Sequence, residues 1–358
     1  MNRPWDPFRF SSVGVTLSNR MVLAAMTNKQ SNEDGSISEA EVEWLQRRAQ
    51  GGFGLITTAA SHVTAGGRGW RGAFGVHSDA MIRGLRSMAS SINRWMSCSM
   101  VQLFHGGIRA PQSLTGQPPV SASDWVDDDG VMAQGLSEEE VESLRDAFIA
   151  AAVRCSNAGF TGVELHAAHG YLLAQFLGTR SNRRQDAWGG DLRRRSHLLT
   201  SIIEGIRDAC GHGFLISVRI SPTTPSIGIT LDDSLDLVDL LSSTSMDLLH
   251  ISCWDVRKEV GDGDSRSLTR RFRDHLDTRI PLLSTGSIWT EEDASWTMRE
   301  GADLVGIARA AIAHPDWAKE CQPGFAPQRP PFTAEHLKAA SLAPEFIQYM
   351  RNWKGFVA

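Results

Sequence analysis

The segment HAAHGY, His166 to Tyr171, sets two imidazoles three residues apart and a phenol two residues beyond the second. Such a cluster can hold an anion or a carbonyl oxygen and deliver a proton beside it. A lone histidine is more often structural, but a pair with a tyrosine at a strand end favours function. The chain has only two tyrosines, Tyr171 and Tyr349, against 11 tryptophans and 14 phenylalanines, so hydroxyls are rare where aromatic bulk suffices. Metal binding is the rival use of the histidines. No carboxylate stands at the spacing of an HExxH site, yet Glu164 shares a strand face with His166 and keeps a mononuclear site open.

A second chemistry is written in STGSIWTEEDA, Ser284 to Ala294, and LVGIARA, Leu304 to Ala310. Small residues let the backbone close on an anion. Gly286 and Ser287 precede a helix N-terminus and Arg309 offers a fixed charge, so amides, dipole and guanidinium together can bind phosphate. Tight turn packing is the plainer explanation of the same residues. No P-loop sequence is present, and GGFG, Gly51 to Gly54, precedes its strand instead of following it, so the Rossmann fingerprint is missing too.

These residues need a frame, and eight short apolar runs supply one: Met21–Ala25, Gly54–Ala60, Met100–Leu103, Gly162–Leu165, Leu215–Ile220, Leu248–Ile251, Leu282–Thr285 and Leu304–Ile307. Longer amphipathic stretches separate them, the pattern of βα units around a parallel sheet covered on both faces. The clearest helix is Ser137 to Phe160. Ser137 and Glu140 form a capping box, Val141, Leu144, Phe148, Ala152 and Cys155 recur at helical spacing, and Gly159 follows the end. Helices over Asp233–Ser242 and Glu291–Glu300 follow with weaker caps. Eight alternations predict an α/β fold, a (β/α)8 TIM barrel with an extended polar loop after strand 3 (Gln112 to Gly135) and a C-terminal tail. Both additions are expected on the surface or over the barrel mouth. Residues 1–358 read as a single domain, with the barrel core over 20–317 and the tail over 318–358. Catalytic groups of such barrels gather at the C-terminal ends of the strands. Thr27, Gln102, His105, His166, Gly286 and Ser287 fall there, and Arg219 lies within the fifth run.

Composition narrows the remaining classes. With 41% hydrophobic and 22% charged residues and no long apolar run, the chain reads as a globular, cytoplasmic protein that does not engage a membrane. The start, MNRPWDPFRF, lacks the apolar stretch of a secretory signal. Five scattered cysteines without a CxxC pair argue against a disulfide framework, a zinc ribbon or an iron–sulfur cluster. A net charge of -5 disfavours nucleic acid as a partner. The basic run Arg183 to Arg195 reads as a solvated or ion-paired loop. The acidic DDDG at 127–130 lacks calcium-loop spacing and reads as a solvated turn.

With these residues in place, the chain resembles the old yellow enzyme family of flavin oxidoreductases, most closely its branch with two active-site histidines. The likeness runs from Phe8 to Trp317 through LSNRMVLAAMT, GGFGLITTAASHV, VQLFHGG, AGFTGVELHAAHGYLLAQFL, SNRRQDAWGG, SVRIS, TGS and ADLVGIARA. It implies FMN as cofactor and NADPH or NADH as reductant. Gln102 and Arg219 are then expected at the flavin pyrimidine edge, Thr27 near the flavin O4 and N5, and Ala25 and Ala60 beside the ring. Gly286, Ser287, Ala308 and Arg309 are expected on the phosphate. His166 and His169 would bind the oxygen of the substrate's activating group, and Tyr171 would donate a proton. The implied reaction is reduction of the activated C=C bond of an α,β-unsaturated carbonyl or nitro compound, an ene-reductase activity.

The departures concern the substrate. Thr27 stands where the branch often has cysteine, and Lys29 where it often has an aromatic residue. After strand six, Trp254, Asp255 and Arg257 are expected to shape an unusual pocket. The tail segment QYMRNW, Gln348 to Trp353, resembles one that carries an arginine, here Arg351, into a neighbouring subunit, which implies a homo-oligomer, a dimer or tetramer. Alternatives on the same scaffold are desaturation, isomerisation or demethylation. More remote are a metal- or phosphate-dependent barrel lyase using Glu164, and a flavin binder without turnover, which the retention of His166, His169 and Tyr171 speaks against.

Overall fold

The computed structural model describes residues 2–126, 130, 132–259 and 263–358. Eight parallel strands close into a barrel: β1 (Met21–Leu23), β2 (Leu55–His62), β3 (Cys98–Phe104), β4 (Gly162–Ala167), β5 (Leu215–Ile220), β6 (Leu248–Ser252), β7 (Leu282–Thr285) and β8 (Leu304–Ile307). The β8 strand pairs with β1, so no sheet edge remains. All eight expected runs are strands, shifted at their ends by two residues or fewer. Each is apolar on both faces because helices cover the outside and packed side chains fill the inside.

The interior changes character along the barrel axis. At the N-terminal end Val22, Leu55, Met100, Leu215, Leu248, Leu283 and Leu304 form an apolar cluster with Phe10 and Leu17. The last two come from a short antiparallel hairpin, Phe8–Phe10 with Val15–Leu17, which the sequence reading did not anticipate and which plugs that end. Further up, inward positions turn polar. Gln102, Glu164 and Ser217 stand in one row across β3, β4 and β5, and His166, Arg219 and His250 in the next across β4, β5 and β6. Buried polar groups concentrate at the C-terminal end, and the chemistry must sit there.

The helices are fixed by their caps. Helix α1 (Glu39–Gln50) follows β1 and α2 (Ile82–Asn93) follows β2. In α3 (Glu138–Asn157) the Ser137–Glu140 box forms as expected, and Gly159 takes φ +91° beyond its end. The helix α4 spans His197–Cys210. The caps expected to be weak are complete: Thr230 with Asp233 opens α5 (Leu231–Leu241), and Thr290 with Asp293 opens α7 (Glu291–Arg299), which follows α6 (Leu268–His275). Aspartate at the third helical position closes the box as glutamate does.

The long loop after β3 is not featureless. It holds a helical turn at Gln112–Thr115 and a three-stranded sheet of Val120–Ser121, Trp125–Val126 and Met132–Gly135. Residues 127–129 of the acidic run lie outside the described residues. The tail carries two helices, Ala334–Ala339 and Pro344–Met350, and docks on α1. Phe346 packs edge-on against Trp44 at 5.4 Å, and the buried Arg48 donates to the carbonyl of Ala340 at 2.7 Å. The basic run is tied down as expected, through Arg184–Asp186 and Arg195–Asp233 ion pairs. All five cysteines are free, and among the described residues no helix is long and apolar enough to cross a membrane.

Candidate active site

His166 is the penultimate residue of β4, and the chain beyond it turns sharply: His169 takes φ +58° before Tyr171 opens the helix Leu172–Leu177. The turn brings three rings together. His166 lies edge-on to His169 at 5.0 Å and to Tyr171 at 4.9 Å between centroids. Three of the five described non-glycine residues with positive φ, Lys29, His169 and Ser287, belong to the sites expected from the sequence. Such backbone costs about 1–3 kcal/mol per residue and persists where the surroundings impose it.

Proton positions follow from the partners. His166 Nδ1 accepts from the Ala168 amide at 3.4 Å, which puts the ring proton on Nε2 as a donor. His169 Nε2 lies 2.8 Å from Ser252 Oγ, which itself accepts from Arg219 Nη2 at 3.0 Å. With Ser252 donating to Nε2, the assigned His169 proton is on Nδ1. Burial, with the neighbouring histidine and Arg219, holds His166 well below the usual imidazole range. His169 is open to solvent on its outer side, yet protein crowding inward and the Arg219 charge also press it down. Both rings are therefore neutral hydrogen-bond donors. Burial raises the Tyr171 phenol against the pull of Arg109 and Arg219, so it stays protonated.

Beneath them runs a buried network. Glu164 accepts from Gln102 Nε2 at 2.7 Å and Ser217 Oγ at 3.1 Å, and meets His250 Nδ1 at 2.8 Å; His250 Nε2 reaches Thr285 Oγ1 at 2.8 Å. Burial alone would raise Glu164, but His250, Arg219 and Gln102 bring it down to about 2. Its oxygens are spent on this network instead of on His166. Among the described residues no three His, Cys, Asp or Glu side chains converge as metal ligands, so the geometry gives the metal-lyase alternative no support.

Arg219 donates through Nη1 to the Ala25 carbonyl at 3.1 Å and through Nη2 to Ser252, but its Nε is buried without a partner. An orphaned guanidinium N–H costs free energy unless a bound group accepts it. Ala60 pairs with Gln102 across β2 and β3, after a register shift between Thr57 and Ala60.

Around β7 and β8, Gly286, Ser287, Gly306, Ala308 and Arg309 line one small concavity, and Arg309 Nη2 donates to Ser287 Oγ at 2.8 Å. Glycine is required at 306, where a Cβ would run into the Thr285 hydroxyl. One expectation is corrected. The N-terminus of α7 is not free for an anion, because Asp293 already accepts from the amides of Trp289 and Thr290 at 3.1 Å each. The Gly286–Ser287 turn and Arg309 remain.

Other expected residues are placed differently. Arg257 pairs with Asp293 at 3.2 Å and stacks on Trp296, away from the histidines. Asp255 caps its own turn by accepting from the Arg257 amide at 2.9 Å. Trp254 is 70% exposed, 5.4 Å above Arg309 and 6.4 Å from Trp353, at the rim beside the concavity. Arg351 faces solvent, where its Nη1 donates to the Ala358 carbonyl at 3.5 Å. His105 serves its turn, with Nδ1 accepting from Gly107.

Three residues to which the sequence assigned no role belong here. Arg109 donates to the His169 carbonyl at 2.7 Å and lies 4.9 Å over the Tyr171 ring. Tyr349 comes in from the tail: Lys29 Nζ lies 4.8 Å over its ring, and its phenol is raised by burial and by Tyr171, with Thr27 and Trp353 as polar neighbours that oppose the rise. His250 was legible as a polar residue two positions before Ser252 in an apolar strand.

The buried histidines make a first testable expectation. His62, His105, His166 and His250 are all pressed below the ordinary value of 6.5, by burial first, with His62 at about 3 and His105 at about 4. The folded chain keeps them neutral, so below pH 6.5 the unfolded chain binds more protons and stability falls with pH. The loss starts at the unfolded value and runs down through the folded values near 4 and 3. At about 1.4 kcal/mol per histidine and pH unit, the thermal midpoint is expected to drop steeply from pH 6.5 downwards. A midpoint that stays level there contradicts the neutral assignment.

Comparison with known proteins bears on the family and the fold. Residues 5–328 match the model of the NADH:flavin oxidoreductase / NADH oxidase family. The probable NADH-dependent flavin oxidoreductase YqiG of Bacillus subtilis is 36% identical over 89% of this chain and 88% of its own length. The NADH:acrylate oxidoreductase of Vibrio harveyi is 31% identical over 88% of this chain, which spans only 32% of that longer protein. Among solved structures, an old yellow enzyme homologue from Zymomonas mobilis superimposes with a TM-score of 0.79 at 27% identity, covering 89% of this chain and 92% of that one.

Proposed function

The chain belongs to the NADH:flavin oxidoreductase / NADH oxidase family of FMN-dependent, NAD(P)H-oxidising enzymes, and from that premise we propose that it is an ene-reductase of the two-histidine branch. Its substrate in this reading is an α,β-unsaturated carbonyl or nitro compound. The observation that carries the reading is the convergence of two neutral imidazole donors, His166 and His169, with one protonated phenol, Tyr171.

Bound FMN supplies a two-electron carrier that takes hydride from NADH or NADPH and returns it to the alkene. The residues present fit it. The unpartnered Nε of Arg219 needs an acceptor at the depth where a flavin edge would lie, Gln102 lies in the row below, and the Gly286, Ser287, Ala308 and Arg309 concavity suits a phosphate. Arg219 would then favour negative charge at the ring edge, and Ala25, Thr27 and Ala60 would line the ring.

The substrate oxygen is held by His166 Nε2–H and His169 Nδ1–H, and charge developing on it as hydride arrives meets donors already oriented. The Tyr171 hydroxyl gives its proton to the α-carbon and is refilled from solvent. Arg109, stacked on the Tyr171 ring, eases that proton loss. The same scaffold could support desaturation, isomerisation or demethylation, but an acid beside two oxygen-holding donors favours net reduction.

Arg309 tests the cofactor assignment. Arg309→Ala is expected to weaken FMN binding roughly 10- to 100-fold, the range of a charged hydrogen bond, and to leave riboflavin binding within about twofold. Equal weakening of both by calorimetry would remove Arg309 from the phosphate.

A further inference from the structure

Two cations stand at the mouth without acidic partners. Lys29 lies on the face of Tyr349 and Arg109 on the face of Tyr171, so each of the chain's two tyrosines carries one. Among the described residues neither cation is ion-paired. They flank one site: Tyr171, under Arg109, lies edge-on to His166, and Trp70, 6.3 Å from Tyr171, is two residues from Gly72, which packs on the Lys29 backbone. The carboxylate inside this part of the barrel, Glu164, is consumed by Gln102, Ser217 and His250. Arg219 is matched by the flavin edge in the reading above. Lys29 and Arg109 have no such match.

Each is held in place. Lys29 sits on left-handed backbone, φ +58°, next to Asn28, whose side chain donates to the buried Glu41 at 2.7 Å. Arg109 is anchored on the His169 carbonyl. Ordered cations at a partly enclosed mouth, uncompensated by protein, attract and orient an anionic group on a ligand.

We propose that the substrate is an electron-poor alkene that also bears a carboxylate, separate from its activating carbonyl, and that Lys29 with Arg109 recognises it. This rests on the ene-reductase reading and adds the charge of the substrate to it. The net reaction is alkene plus NAD(P)H plus a proton giving the saturated product plus NAD(P)+. Hydride goes to the β-carbon and the Tyr171 proton to the α-carbon, and the carboxylate is unchanged. The reductant's phosphates are the other anion that could meet these cations, and the two half-reactions separate the sources.

The test uses the FMN-loaded enzyme with 4-oxopent-2-enoate and its methyl ester, which share a ketone and an alkene and differ in charge. The acid-to-ester ratio of kcat/KM is compared between variants, so intrinsic reactivity cancels. Lys29→Met is expected to lower that ratio roughly fivefold or more, as loss of a partly exposed charge pair does, and Lys29→Arg to restore it. Arg109→Gln should act in the same direction. A ratio that Lys29→Met leaves in place overturns the proposal, as does weaker NADH or NADPH binding in the reductive half-reaction with the ratio unmoved. If neither compound is turned over, the ene-reductase reading fails by itself. Titration of the oxidised enzyme with 4-oxopentanoate and its methyl ester then still reads the charge preference: tighter acid binding lost in Lys29→Met supports the cation site, and equal binding rejects it.

Discussion

Replacing Tyr171 with phenylalanine is expected to slow reoxidation of the reduced enzyme by an activated alkene about 10²- to 10⁴-fold, the range of a general acid, and to change reduction by NADH or NADPH by less than about threefold. The substitution removes one oxygen and keeps the ring, so packing against His166, Phe104 and Trp70 survives. The wild-type phenol is raised by burial and stays protonated across the neutral range, whereas the variant has no hydroxyl to supply the proton at any pH, so no pH adjustment should rescue it. Stopped-flow measurement of the two half-reactions decides it. Equal slowing of both would mean that Tyr171 shapes the site without donating the proton.

Truncation of the histidines should produce the second large effect, and the two should differ. His166→Ala removes a buried donor whose orientation is set by the Ala168 amide, and is expected to lower kcat/KM for the alkene about 10²- to 10³-fold, as loss of one oxyanion donor does. His169→Ala should cost a similar factor and also move the flavin midpoint potential, because His169 shares Ser252 with Arg219. A potential unchanged in His169→Ala, measured by dye-coupled titration, would separate His169 from the Arg219 relay.

What the sequence made legible follows from how each feature is encoded. The eight strands could be read because a parallel strand buried on both faces is a short unbroken apolar run such as LISVRI. The hairpin at Phe8–Phe10 and Val15–Leu17 escaped because three-residue strands carry no periodicity. The α5 and α7 caps look weak in sequence because aspartate stands where a capping box usually has glutamate. His166, His169 and Tyr171 were legible because they are neighbours in the chain. Arg109 and Tyr349 were not, since their roles depend on contacts across about 60 and 320 residues, respectively, that no local pattern reports. The Arg257–Asp293 pair is hidden for the same reason, because nothing near Arg257 in sequence points to Asp293. The free helix N-terminus failed because TEED holds its own capping carboxylate.

The most direct test of the central claim is a double-mixing experiment on the purified protein, followed through its visible absorbance. The account expects a yellow protein that releases FMN on denaturation, bleaches anaerobically with NADH or NADPH, and regains its colour when mixed with an activated alkene, with the saturated product formed in equal amount. A protein that binds no FMN, or one that bleaches and is reoxidised by oxygen but by no activated alkene, contradicts it.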